Sequence, residues 1–133
     1  MLWILFSVHG AGIGAAVAAG QRSMHAGLHT AAIAPAATGV WAIWSVFTNA
    51  EPRVYEITWV EALVLVIRFR TDSLALLMTA IVSGIGALVF VYATGYFSPG
   101  ATGGSRFAAS LLAFSTAMLG LVLADSVWTL FIF

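Results

Sequence analysis

The stretch from Ser73 to Phe97, SLALLMTAIVSGIGALVFVYATGYF, runs for 25 residues without a charge. A helix crossing the hydrocarbon of a bilayer needs roughly 20 predominantly apolar residues, so this segment is long enough by itself. Tyr92 and Tyr96 near its far end suit the headgroup layer, where amphipathic aromatic rings settle. Three more apolar stretches follow the same rule: Leu2 to Gly20, about Leu28 to Thr48, and Phe107 to about Ala124. Trp41, Trp44 and Phe47 form an aromatic belt at the end of the second. The expected fold is all-α and transmembrane, with four complete spans, the start of a fifth, and a small surface hairpin between the second and third.

Composition agrees. Of the 133 residues, 62% are hydrophobic and 8% charged, whereas a soluble domain carries roughly 25% charged residues. Ten charges cannot cover the surface of a soluble fold of this size, so lipid must be the solvent for most of it. The five basic residues are all Arg and balance five acids, so there is no clustered basic face for nucleic acid. The absence of cysteine excludes disulfides and thiolate chemistry. No basic residue precedes the first apolar run, which disfavours a cleaved signal peptide despite the small residues Ala16-Val17-Ala18.

The connecting segments differ in kind. Residues 21–27 and 98–106 are short and contain Gly and Ser, and read as turns. The linker 49–72 holds seven of the ten charges, with β-branched and aromatic runs at Glu56 to Val60 and Leu63 to Arg70. Such runs predict a hairpin at the membrane surface. Glu61 and Arg68 leave too short an apolar core for another span. The last apolar run, after Asp125, has eight residues to Phe133 and is too short to cross. Asp125 therefore turns the chain into a fifth helix that begins at about 126, and membrane proteins rarely stop there, so a longer parent or a split protein is expected. As an Asp between two apolar runs, it is expected to cap that helix.

Few residues carry chemistry. Gly10-Ala11-Gly12-Ile13-Gly14-Ala15 fits a loose dinucleotide pattern, but no strand precedes it and no acid follows before Glu51. Gly10 and Gly14 read instead as a small-residue face for helix packing, as do Ser83 with Ala87 and the series Ala109, Ala113, Ala117. Pro35 removes a backbone donor inside the second span. His25 and His29 share a helical face with no third ligand, so no metal is expected. His9, an ionisable group within a span, and Asp125 are the ion-path candidates. No nucleophile–base set, carboxylate pair or phosphate loop is present, so neither an enzyme nor a cofactor is expected.

Phe69-Arg70-Thr71-Asp72-Ser73-Leu74, Ser83-Gly84-Ile85-Gly86-Ala87, Tyr92 with Tyr96-Phe97, Arg106-Phe107 and Ala117 to Asp125 together form a distinctive series. It resembles the N-terminal region of the large antiporter-like subunit (the A subunit) of Mrp-type multisubunit sodium/proton antiporters, and the homologous proton-pumping subunit of respiratory complex I. Ala34-Pro35-Ala36-Ala37-Thr38 and Trp59-Val60 are closer to the Mrp protein. The resemblance implies a multi-pass protein of the bacterial plasma membrane that works with further membrane subunits and exchanges Na+ for H+. It places the N-terminus and the 49–72 linker outside, and Arg22 and Arg106 inside, against the Arg count of the linker. Where the family has Pro and two Gly, this chain has Glu61, Val64 and Ser73. The family's Trp-Glu pair, with its ion-path carboxylate, would fall just after Phe133. The same region of a complex I subunit, or a small membrane scaffold without transport, are the alternative functions.

Overall fold

The computed structural model describes residues 2–21, 23–48, 51–60, 65–97 and 104–133. Five helices and one hairpin follow in the order α1 (Leu2–Gly20), α2 (Met24–Phe47), β1 (Arg53–Val60), β2 (Leu65–Thr71), α3 (Ser73–Tyr96), α4 (Gly104–Val122) and α5 (Val127–Ile132). Among the described residues, three helices are long and apolar enough to cross a membrane: His25–Phe47, Ser73–Tyr96 and Ser105–Val122. In α1 the apolar stretch is shorter, Leu5–Gly20. The expectation of four full-length spans is thus met for three.

Helix α2 begins within the segment 21–27 read as a turn. Ser23, in an extended conformation, accepts a hydrogen bond from the Ala26 N–H and so satisfies one of the free donors of the first turn. Gly27 is thereby inside the helix, where its lack of a side chain has a purpose. A Cβ there would lie 2.9 Å from Gly20 Cα and 3.1 Å from the Ala16 carbonyl. At Gly20 a Cβ would lie 2.6 Å from Ser105 Cβ. The ends of α1, α2 and α4 therefore meet backbone to backbone. Further along, a Cβ on Gly12 would lie 3.2 Å from both Ala34 Cβ and a Leu112 methyl. As numbers fall along α1 they rise along α2 and α4, so α1 runs antiparallel to both.

The side chains between the helices are mostly small. Ala16, Ala31, Ala34, Ala93 and Ala108 surround Leu28, Phe90 and Leu112, all buried. Apolar attraction does little between helices in lipid, and small residues permit the close approach from which packing forces arise. The outward faces are large and apolar: Ile33, Val40, Leu88 and Phe114 are each more than 60% exposed. The small-residue faces are not all where spacing alone put them. Gly10 and Gly14 face open space within this chain, and Gly12, Ala16 and Gly20 on α1 make the approaches. On α4, Ala108, Leu112, Ser115 and Leu119 are buried while Ala113 is exposed. Ser83 lies against Gly39 of α2, and Ala87, one turn on, is half-buried.

The expected hairpin is present as an antiparallel pair, with Arg53 opposite Thr71 and Ile57 opposite Ile67. Its regular pairing breaks between Thr58 and Val60, and Trp59 there is exposed. Period-two alternation turns Tyr55 and Ile57 of β1 and Phe69 of β2 toward Ala75 and Leu123. Phe6, Phe69 and Phe133 cluster beneath the sheet with ring centroids 5.5 to 5.8 Å apart. The hairpin thus covers the end of the bundle opposite the Gly20–Ser105 contact.

Gly27→Val should force α1 and α2 apart at a cost of about 1–3 kcal/mol, the usual range for overpacking. Thermal unfolding of the detergent-solubilised full-length protein should fall for Gly27→Val and stay near wild type for Gly14→Ala. Equal stability of the two variants would contradict the packing.

Candidate functional site

The polar chemistry of the chain gathers where the hairpin meets the turn between α4 and α5. Helix α4 ends at Val122, and the next residues lie along the free edge of β2. Phe69 and Ala124 form an antiparallel bridge, the Arg70 N–H donates to the Leu123 carbonyl at 2.8 Å, and the Asp125 N–H donates to the Arg68 carbonyl at 2.9 Å. The Arg68 N–H then donates to Thr129 Oγ1 of α5 at 2.8 Å. The segment Leu123–Asp125 is in this way tied to the sheet by backbone bonds, and the first turn of α5 by the Thr129 hydroxyl.

Charges complete the junction. Arg70 Nε and Nη2 donate to the two carboxylate oxygens of Asp125 at 2.7 and 3.2 Å, a paired geometry suited to the planar guanidinium. Hydrogen bonding to Asp125, then its charge, and more weakly the charge of Asp72, push the Arg70 pKa above its ordinary value. Arg68 pairs with Glu56 across the hairpin at 2.9 Å, with both side chains about half exposed. Asp72 accepts from the Ala75 N–H at 2.8 Å and caps α3.

Asp125 was expected to cap α5, and the structure corrects this. Ser126 is the cap, its Oγ accepting from the Thr129 N–H at 3.2 Å. The cap must have its backbone extended directly before the helix, and Asp125 is instead held in the β2 edge. Its partner Arg70 is 55 residues away in sequence, so no inspection of local neighbours would have found it. The available signal was the alternation of Arg68, Arg70 and Asp72, which predicts that the two Arg side chains share one face of a strand.

The other ion-path candidate lies apart from this junction. His9 is fully buried in α1, with Nδ1 2.9 Å from the Leu5 carbonyl. His25 is half-buried and His29 exposed on α2. Among the described residues no three His, Cys, Asp or Glu side chains converge as a metal site. Arg22 and residues 61–64, which include Glu61 and Val64, lie outside the described residues.

This bundle of apolar helices, with its hairpin clasping the turn into the next helix, has similarity to known proteins. Residues 57–108 match the family described as NADH-ubiquinone oxidoreductase (complex I), chain 5 N-terminus. The chain is 37% identical over 79 residues to the A subunit of the Na+/H+ antiporter of Alkalihalophilus pseudofirmus, covering 59% of this chain and 10% of that protein. It is 47% identical over 62 residues to the A1 subunit of the Na+/H+ antiporter of Staphylococcus aureus, covering 47% and 8%. The solved structure of the Mrp complex from Dietzia sp. DQ12-45-1b matches 97% of this chain and 14% of its own, with a TM-score of 0.72 at 31% identity. Fold and sequence are both similar to one class of membrane subunit, represented in the Mrp complex and in the complex I chain 5 family. Within that class, the chain is similar to the N-terminal region of the A subunit of the Mrp-type multisubunit sodium/proton antiporters. It spans about a tenth of the length of the curated relatives it matches.

Thr129→Val should leave the part-buried Arg68 N–H without this partner and cost about 1 kcal/mol. Asp125→Asn, at a partly exposed pair, should cost less. Thermal unfolding of the two full-length variants decides the order, and a larger loss in Asp125→Asn would mean that the ion pair, not the Thr129 hydroxyl, holds α5.

Proposed function

We propose that this chain forms the N-terminal bundle of a subunit that exchanges Na+ for H+ across a bacterial plasma membrane, within a multisubunit complex. The observation that carries this reading is the fold match along 97% of the chain to an Mrp complex structure. The bacterial antiporter subunits among its relatives support it. In this reading α1 also crosses, making four spans, because 19 residues rise about 28 Å, close to the ~30 Å of hydrocarbon.

The bundle itself works as a scaffold. Helices α1, α2 and α3 contain no Asp, Glu, Lys or Arg, and α4 has only Arg106 in its first turn. An ion path needs titratable groups at membrane depth, so most of that path belongs to parts of the protein outside these residues. Asp125 serves to hold α5 against the hairpin rather than to carry protons. A second reading, the equivalent region of a complex I subunit, is favoured by the description of the family that matches residues 57–108.

The direct test is reconstitution of the full-length protein with its partner membrane subunits. A sodium gradient should drive proton movement in those proteoliposomes, and the present 133 residues alone should give none. Exchange by the 133-residue chain alone would overturn the scaffold assignment. Topology is checked separately in intact cells by cysteines at Val54, exposed on the hairpin, and Arg106, at the other end of the bundle. Val54→Cys should react with an impermeant maleimide from outside and Arg106→Cys should not. The reverse pattern would invert the assignment.

A further inference from the structure

Several hydroxyls within the helices satisfy themselves. Thr30, Thr38, Ser110 and Thr116 each donate to the carbonyl four residues earlier, at 2.6 to 3.0 Å. Thr79, Ser83 and Ser115 do not: their hydroxyl oxygens are buried and have no partner. The same is true of Nε2 of His9, whose ring is fully buried. An unpartnered polar atom in an apolar interior is destabilising, and one lacking a protein partner is the usual sign of a bound water.

Three of these atoms lie at one level of the bundle. Gly12 of α1 meets Ala34 of α2 and Leu112 of α4. Because α1 is antiparallel to both, one turn back to His9 corresponds to one turn on to Thr38 and Ser115. On α3, a Cβ on Gly86 would lie 3.3 Å from Ser115 Oγ and 3.6 Å from Pro35 Cβ. One turn from Gly86, Ser83 packs against Gly39, the neighbour of Thr38. All four long helices thus turn a polar side chain toward the same depth: His9, Thr38, Ser83 and Ser115.

We infer that the bundle binds internal water at this level, held by His9 Nε2 and the hydroxyls of Ser83 and Ser115. The occupant is neutral for a physical reason. Helices α1 to α3 offer no carboxylate, and the one charged residue of α4, Arg106, is two and a half turns from Ser115. A cation here would lack a counter-charge, at high cost in a low-dielectric site. Water needs no counter-charge and can both donate and accept. With Nδ1 donating to the Leu5 carbonyl, Nε2 carries the lone pair and accepts from the water, while the serine hydroxyls complete its bonds. The site is independent of which ion the assembled complex moves.

Water-edited solid-state NMR on the reconstituted full-length complex with 15N-labelled histidine tests this. The His9 signal is assigned by its loss in His9→Gln. Polarisation from water should reach His9 Nε2 within a few milliseconds, and a Ser83→Ala/Ser115→Ala double variant should slow the transfer about threefold or more. No transfer to Nε2 in the wild type would overturn the inference. Unchanged transfer in the double variant would also overturn it, since the serines would not then share the water.

Discussion

The backbone contact of α1, α2 and α4 at Gly20, Gly27 and Ser105 is the constraint on which the rest of the structure depends. With Cα and carbonyl atoms at van der Waals distance, neither Gly20 nor Gly27 can carry a side chain without displacing a helix. That contact fixes the antiparallel register of three helices, and α3 then packs into the face of α2 that includes Gly39 and Pro35. Pro35 costs α2 one backbone hydrogen bond, but its ring is buried against Gly86, so the cost falls where α3 is close enough to fill the space.

At the other end, backbone pairing does similar work outside the helices. The edge of β2 would be open and ready to pair with any other chain. Leu123, Ala124 and Asp125 close it, and in doing so fix where α4 stops and α5 starts. The Arg70–Asp125 pair adds orientation at a partly exposed surface, where ion pairs contribute little to stability. The hairpin thus sets the entry of α5 relative to the bundle, a mechanical role that suits the proposed scaffold.

The parts of the fold legible in sequence were those set by local pattern. The uncharged run after Asp72 and the β-branched runs on either side of residues 61–64 each announce their element without reference to the rest. What could not be read were choices among equivalent patterns. Small residues recur at four-residue spacing in two registers on α1, Gly10 with Gly14 and Gly12 with Ala16 and Gly20, and only the neighbouring helices decide which is used. Hydropathy places the start of α2 too late because it ignores caps, and Ser23 outweighs the polar composition of the residues after it. The roles of Asp125 and Ser126 are exchanged because a tertiary partner, Arg70, claims the carboxylate. Hydroxyl satisfaction is invisible as well, since Thr38 and Ser83 look alike in sequence but only Thr38 bonds to its own helix.

That this bundle works in an Mrp-type antiporter and not in a redox complex is tested most directly by the composition of the native assembly. An affinity tag on the native protein, followed by mild detergent extraction and mass spectrometry, identifies its company. A flavin-free set of small membrane subunits is the predicted result. Stoichiometric recovery of flavin and iron–sulfur subunits, or recovery of the tagged protein alone, would contradict it.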